Sequence, residues 1–266
     1  MKFLVYKATG GLTHMILRLC YSYHIAKKEN RILIIDCKTH SAFMHNFSDF
    51  FILNTKHLYS DNYDLFPNLS ESIKKSYAKQ IRPSKYSLFY NNNFLRNYQS
   101  DKVKIIFGKS TFSTLLPIVK VKKDIIEKIE SKFNINEKYI SVHFRNTDIK
   151  NNILVCISKI NYVSKKYNIK TIYLATDDYS AFNKIKKVFP KLKIIQYTNP
   201  QNFRGKNIHY NTKDKYLLIF NCLLDIYVIL RSTIFIPSMN SGLSKWIISM
   251  KNNNIFDIKS DMHIIK

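Results

Sequence analysis

The run Tyr139-Ile-Ser141-Val-His143-Phe-Arg145-Asn-Thr147-Asp148 is an apolar-rich segment that ends in charge and hydroxyls. Val142 and Phe144 alternate with Ser141, His143 and Arg145, which is the two-residue period of a strand, so His143 and Arg145 leave the same face. A strand that ends in polar residues presents them at the carboxyl edge, where open parallel sheets place their ligands. The residues that follow repeat the pattern. A helix is expected around Ile153–Lys166, a strand at Thr171–Ala175 and a helix at Ser180–Val188. A strand at Lys193–Tyr197, a helix around Tyr216–Leu230, a strand at Thr233–Ile236 and a helix from about Gly242 complete it. Such alternation predicts a parallel sheet covered by helices.

The chain before this run reads as a second, less regular α/β region. Lys2–Lys7 is a strand, Gly10-Gly11 a turn, Leu12–Lys28 a helix and Arg31–Asp36 a strand, which together make a strand–helix–strand unit. His40 to Gln99 has irregular periodicity and is expected to form loops and short helices. Val103–Phe107 reads as a strand, and Lys120–Phe133 as a helix with Val121, Ile125, Ile126 and Ile129 on one face. The change of pattern puts a boundary near residue 135, giving domains 1–135 and 136–266.

Composition narrows the class of protein. The 266 residues are 45% hydrophobic with only 5 Gly and 6 Pro, which excludes disordered, collagen-like and linker-dominated chains. Lys and Arg total 43 against 18 Asp and Glu, a formal charge of +25 that attracts phosphates, anionic glycans or an anionic membrane face. Codon bias toward Lys, Asn and Ile explains the same bulk charge without a ligand. Neither a clustered basic helix nor a nucleic-acid reader motif is evident, so nucleic acid is not an expected partner. Cys20, Cys37, Cys156 and Cys222 are widely spaced within apolar segments, as expected of reduced core thiols. The start, Met1–Tyr6, reads as a strand rather than a secretory leader. The apolar stretch Tyr216–Pro237 carries Asn221, Asp225 and Arg231, which suits a buried helix and strand better than a membrane span. A cytoplasmic location, peripheral at a membrane or free of it, is expected.

Four further segments carry chemistry. Arg145 can hold a phosphate through two parallel N–H bonds; an ion pair with Asp148 and a core role for His143 are the structural alternatives. Thr176-Asp177-Asp178 ends another buried strand, and its two carboxylates exceed what a helix cap needs; a ribose contact, a cation site or a brace for Arg145 are open. Asp225 lies within an apolar helix, where an unpaired carboxylate costs several kcal/mol or is forced to protonate. It either meets an internal donor such as Arg231 or Lys215, or accepts the adjacent N1–H and N2–H2 donors of a guanine. Ser238-Met-Asn240-Ser241-Gly242 opens the last helix, and its hydroxyls and N–H groups make an anion cradle. Gly10-Gly11-Leu-Thr-His14 lacks both the third glycine of a dinucleotide fingerprint and the Lys of a P-loop. Its glycines permit close backbone approach, with His14 on the first helical turn. No metal spacing is found, and Asp-x-Asp is absent.

Taken in order, these segments resemble the GDP-fucose-dependent fucosyltransferases of the core α-1,6 and rhizobial nodulation type. His143-Phe-Arg145-Asn-Thr147-Asp148 is similar to that family's first motif, and Tyr173-Leu-Ala-Thr-Asp177-Asp178 to its second. Leu224-Asp225-Ile-Tyr followed by Ser238-Met-Asn240-Ser241 is similar to its third, and Gly11-Leu-Thr-His14 to its N-terminal turn. The resemblance implies a GT-B-like fold of two Rossmann-like domains with parallel sheets. The C-terminal domain would bind the GDP-sugar, and the N-terminal one would stand on the acceptor side. It implies metal-independent, inverting transfer of fucose from GDP-fucose to a glycan or lipid-linked saccharide, giving an α linkage. Arg145 would hold the β-phosphate, His143 and Asp225 the guanine and Ser241 the diphosphate, with Ser238 and Asn240 also binding the donor. Asp177 and Asp178 would support the pocket, with Gly10, Gly11 and His14 on the acceptor or phosphate side. The core α-1,6 enzymes carry a Glu proposed as base where this chain has about Ile153, so the base falls to Asp148, ahead of His14 or Asp49. A binding protein for GDP-sugars or anionic glycans, without turnover, is the alternative.

Overall fold

The computed structural model describes residues 2–38, 40–61, 103–106, 118–146, 151–178, 180–198, 212–252 and 254–265. The chain divides into two compact units, Met1–Val119 and Lys120–Lys266. The division falls before the helix that opens the second unit rather than near residue 135, because that helix packs against the long apolar helix of the second unit.

In the first unit β1 (Phe3–Lys7), α1 (Leu12–Lys28) and β2 (Ile32–Asp36) form the expected strand–helix–strand unit. The helix buries Met15, Ile16, Leu19, Cys20, Tyr23 and Ala26 at helical spacing, and Lys27 and Lys28 complement the dipole in its last turn. Asn30, at φ 49°, turns the chain out of it. The segment His40–Asp61 holds a short 3-10 turn and the strands β3 (Phe51–Leu53) and β4 (Tyr59–Ser60). The expectation for residues 62–99 lies outside the described residues. With β5 (Val103–Ile106) the unit forms a four-stranded parallel sheet, ordered β4-β2-β1-β5.

The second unit follows β6 (Val119–Val121), which takes up the first residues of the predicted 120–133 helix, so α2 runs only over Lys123–Lys132. Then come β7 (Tyr139–Phe144), α3 (Ile153–Tyr167), β8 (Thr171–Thr176), α4 (Ala181–Val188) and β9 (Lys193–Ile195). They are followed by α5 (Lys215–Leu230), β10 (Ile234–Ile236), α6 (Gly242–Ser249) and β11 (His263–Ile264). Asn152 caps α3 by accepting the Leu154 N–H at 2.9 Å, and Asn168 ends it at φ 51°. Asp214 caps α5 through the Leu217 N–H at 2.8 Å.

The five strands are parallel in the order β11-β10-β7-β8-β9. The chain moves outward from β7 to β9, then returns to β7's other side with β10. The order therefore reverses between β7 and β10, the point at which open parallel sheets place their ligands. Even-numbered residues of β7 and β8 (Ile140, Val142, Phe144, Ile172, Leu174) pack with Cys156, Ile160 and Val163 of α3 and Ile185 of α4. The odd-numbered residues face α5 and α6 and carry the polar atoms. Tyr139 donates to the Val228 carbonyl, Ser141 meets Ser232, His143 meets Ser244 and Tyr173 meets Asp225.

Candidate functional site

The strand ends on both sides of that reversal point carry most of the singled-out residues of the second unit. Past the end of β7, Arg145 Nε lies 3.7 Å from Asp177 Oδ2, and both side chains are largely buried. The Asn146 N–H donates to Asp177 Oδ1 at 2.7 Å, and Asn146 Nδ2 donates to Asp178 Oδ2 at 2.8 Å. Asp178 Oδ1 also accepts from the N–H and hydroxyl of Ser180 at 2.8 and 2.9 Å. Burial pushes the Asp178 carboxyl up, but the hydrogen bonds from Asn146 and Ser180 outweigh it and hold the group below its ordinary value. Asn151 Nδ2 donates to the Arg145 carbonyl, and its N–H to Asn146 Oδ1. Asp177 is thus a brace for Arg145, while Asp178 fixes the turn that carries it. Asp148, the expected base and the alternative partner of Arg145, lies outside the described residues.

On the other flank, Ser238 follows β10 and Ser241 caps α6. Ser238 is 6% exposed and Ser241 1%, yet neither hydroxyl has a partner among the described residues. Their backbones are occupied: the Ser241 N–H donates to the Ser238 carbonyl at 2.9 Å, and the Ser238 N–H to Ser244 Oγ at 3.0 Å. Buried hydroxyls are nearly always paired, and an unpaired one costs about 1–3 kcal/mol. Both serine hydroxyls stand beside the N-terminus of α6. Asn240 lies in the exposed turn between them.

His143 links the two flanks. Its Nδ1 is 2.7 Å from Ser244 Oγ. Ser244 Oγ also accepts the Ser238 N–H, so one hydroxyl ties the His143 ring to the turn after β10. Burial, reinforced by the Arg145 charge, lowers the His143 pKa to about 3, so the ring stays neutral at physiological pH. His143 is a buried residue whose Nδ1 is satisfied by Ser244.

Asp225, on α5, is half-buried. Its internal donors are neither Arg231 nor Lys215. Tyr173 donates to Oδ1, and Thr198 Oγ1 lies 3.1 Å from Oδ1 and 3.4 Å from Oδ2. Arg231 instead stacks over the rings of Phe133 and Tyr227, each 5.8 Å away. Burial raises the Asp225 carboxyl to about 7, against the lowering effect of the two hydrogen bonds. Cys222, one helical turn earlier, has its thiol pushed up to about 12 by burial and by the Asp225 charge, and lowered by Arg145. Asp225 and Arg145 therefore act on one shared neighbourhood.

The remaining candidates lie in the first unit. Gly10 adopts φ 79°, and a Cβ there would come within 3.1 Å of His14 Cβ, so the turn requires glycine. Gly11 caps α1 without a side chain, and His14 is exposed on the first turn. Asp49 accepts from the Asn46 N–H at 3.0 Å and lies 3.5 Å from His45 Nδ1. Sequence reasoning missed Ser244, Tyr173, Thr198, Asn146 and Asn151 as working parts; the two-residue alternation of β7 and β8 was the available signal for Tyr173. Among the described residues no group of three His, Cys, Asp or Glu is placed to hold a metal, and no helix is long and apolar enough to cross a membrane.

The second unit is a doubly wound parallel α/β sheet with Arg145 on one side of its reversal point and two unpaired buried hydroxyls on the other. No protein-family model matches the sequence, and no characterised protein matches it at the sequence level. Its fold, however, matches solved structures over nearly the whole chain. The structure of NodZ alpha-1,6-fucosyltransferase soaked with GDP-fucose has a TM-score of 0.62 at 15% identity, covering 93% of this chain and 92% of that one. Fucosyltransferase NodZ from Bradyrhizobium has a TM-score of 0.61 at 14% identity, covering 92% and 91%. POFUT1 in complex with GDP has a TM-score of 0.62 at 11% identity, covering 99% and 98%. The chain has the parallel α/β, GT-B-like fold of these proteins.

Proposed function

We propose that the protein is a glycosyltransferase that moves fucose from GDP-fucose to a glycan or lipid-linked saccharide, with inversion to an α linkage. The observation that carries this reading is the pair of unpaired buried hydroxyls, Ser238 and Ser241, at a helix mouth beside the strand that ends in Arg145. The fold neighbours solved with GDP and GDP-fucose indicate which phosphate ligand such a cradle would take.

The residues divide the work by charge. Arg145, held by Asp177, faces the β-phosphate, with the Ser241 hydroxyl and the N-terminus of α6 on its other side. Departure of GDP concentrates negative charge on that phosphate, and fixed donors in a largely buried site stabilise it without reorganisation. A His143 ring nitrogen meets the guanine, while Asp225, through Oδ2, accepts from its N1–H and N2–H2 edge. Attack by the acceptor hydroxyl on C1 breaks the bond to the β-phosphate, and Asp148 takes the hydroxyl proton as general base. No step is assigned to a metal. The first unit, with Gly10, Gly11 and His14, is assigned to the acceptor. The basic surface suits a peripheral position at an anionic membrane, on its cytoplasmic side.

Titration with GDP, UDP and ADP, followed by mass detection of the sugar moved from GDP-fucose, tests the reading. Preference for GDP together with transfer supports it. Preference for GDP without turnover, even with a range of saccharide acceptors, would leave a binding protein, and equal affinity for the three nucleotides would remove the guanine assignment.

A further inference from the structure

Asp225 is placed to accept from a base only if it is ionised and held still, and the residues that arrange this lie on three different segments. Tyr173 rises from β8, Thr198 follows β9, and Asp225 sits within α5. Both hydroxyls converge mainly on Oδ1: Tyr173 donates to it, and Thr198 Oγ1 is 3.1 Å from it but 3.4 Å from Oδ2. A carboxylate oxygen accepts about two hydrogen bonds. Oδ1 is therefore filled from within, and Oδ2 keeps its capacity for an incoming donor. The Tyr173 ring is itself fixed, packing against Tyr197 with ring centroids 5.4 Å apart.

We propose that Tyr173 and Thr198 are positioning residues for nucleotide recognition: they fix the Asp225 carboxylate, favour its ionised form and leave Oδ2 as its base-reading atom. The proposal rests on the donor reading above and adds to it a positioning pair and a pH response.

The surrounding groups favour this assignment. On α5, Cys222 stays protonated because its thiol is pushed up to about 12. Tyr173, and Tyr139 at the start of β7, are held protonated by burial, so both remain neutral donors. Tyr197 gives its hydroxyl to Asn134 Oδ1. Glu130 of α2 takes the Tyr227 hydroxyl, and Lys132 lies over the Phe220 ring, so both engage other residues of α5. Toward His143, α6 presents the neutral Ser244. Among the described groups, Arg145 is the cation whose field reaches this neighbourhood, through Cys222, and it does not titrate near neutrality. With Asp225 itself raised to about 7, its protonation falls inside an accessible range, and each hydrogen bond to the ionised form lowers that midpoint.

The test is GDP and UDP affinity measured over pH on both sides of about 7 for the wild type, Tyr173→Phe, Thr198→Val and Asp225→Asn. In the wild type, GDP affinity is expected to fall as pH drops through that midpoint, while UDP affinity lacks this limb. Tyr173→Phe and Thr198→Val each remove a bond to the ionised form, so each should move the GDP midpoint upward, by about one pH unit for a charge-assisted bond. Asp225→Asn should abolish the limb. Thr198→Val is nearly isosteric and keeps the test open should Tyr173→Phe fold poorly. Unchanged midpoints in both hydroxyl variants, with the wild type still preferring GDP to UDP, would overturn the positioning role and leave the donor reading standing. A wild type that does not prefer GDP would overturn the donor reading itself.

Discussion

The two sheets use the same topological device to different ends. In each, strand order reverses beside its first strand, between β1 and β5 in one and between β7 and β10 in the other. In each, that first strand runs toward a polar turn at the carboxyl edge. At the first edge Lys7 and Asp36 are register partners, 4% and 1% exposed, and the Asp36 charge offsets part of what burial costs the lysine. The α1 cap is a glycine with no hydroxyl, and the Thr9 hydroxyl already accepts from Arg18. At the second edge the arginine is braced from behind by Asp177, while the hydroxyls of Ser238 and Ser241 are left unpaired. Topology thus nominates two candidate edges, and their hydroxyls differ: Thr9 is engaged by Arg18, whose own Nε has no partner among the described residues, whereas Ser238 and Ser241 are unengaged. The first edge compensates its charge internally. The second leaves two buried hydroxyls without a partner among the described residues.

The largest effect that would sharpen this contrast is expected from Arg145→Ala. Removing a fixed donor from developing charge costs about 10²–10³-fold in turnover, so transfer from GDP-fucose should fall by that factor with the fold intact. Turnover close to wild type would place the phosphate elsewhere. Next is Asp225→Asn, which loses a charge-assisted hydrogen bond. Weakening of GDP by about tenfold or more is expected, without a matching loss for UDP; an equal loss for both would make Asp225 a purely structural acid. A smaller effect, but one more specific to the comparison, comes from Ser241→Ala. Loss of a neutral hydrogen bond should weaken GDP about two- to tenfold. The same substitution removes an unsatisfied buried hydroxyl, so the ligand-free protein should melt no lower than the wild type. Weaker binding without lower stability is the signature of a group kept for a ligand, and a drop in melting temperature would count against it.

The fold of the second unit was legible because β7 alternates polar and apolar residues and the helices α3 and α5 open on side-chain caps, Asn152 and Asp214. Val142 and Phe144 against Ser141 and His143 foretold which face of β7 meets which layer, and the pairing with Ser232 and Ser244 follows that face. The beginning of α2 was not legible, since Val121 suits a strand as well as the helical stripe that includes Ile125 and Ile129. Among site residues, the charged ones were visible because burying or massing charge needs a reason. Their partners were not. Thr198 is 27 residues from Asp225 and Tyr173 is 52 away, and nothing local marks a hydroxyl that will meet a distant carboxylate. Arg231 and Lys215 seemed suitable for Asp225 because they are cations on or beside the same helix, but helical geometry points Arg231 at Phe133 and Tyr227.

The smallest expected effect concerns the first edge and could break the comparison from the other side. Burial lowers the Lys7 pKa to about 8, against a countervailing pull from Asp36, whereas an unfolded lysine titrates near 10.4. Between those values the unfolded chain holds a proton that the folded chain has released, so Lys7 makes stability rise as pH increases through about 8. The buried thiols of Cys20, Cys156 and Cys222, each pushed up to about 12, act in the opposite direction once the unfolded thiols ionise. Cys37, also raised, adds to that opposing effect. The informative quantity is therefore the difference in melting temperature between the wild type and Lys7→Met. The wild type should gain on the variant as pH climbs through about 8, while GDP affinity in the two proteins stays the same. A difference that does not change with pH would show that Lys7 is not buried as a strained charge. A loss of GDP affinity in Lys7→Met would show that the first edge, too, serves the nucleotide, and the division of labour between the two sheets would have to be redrawn.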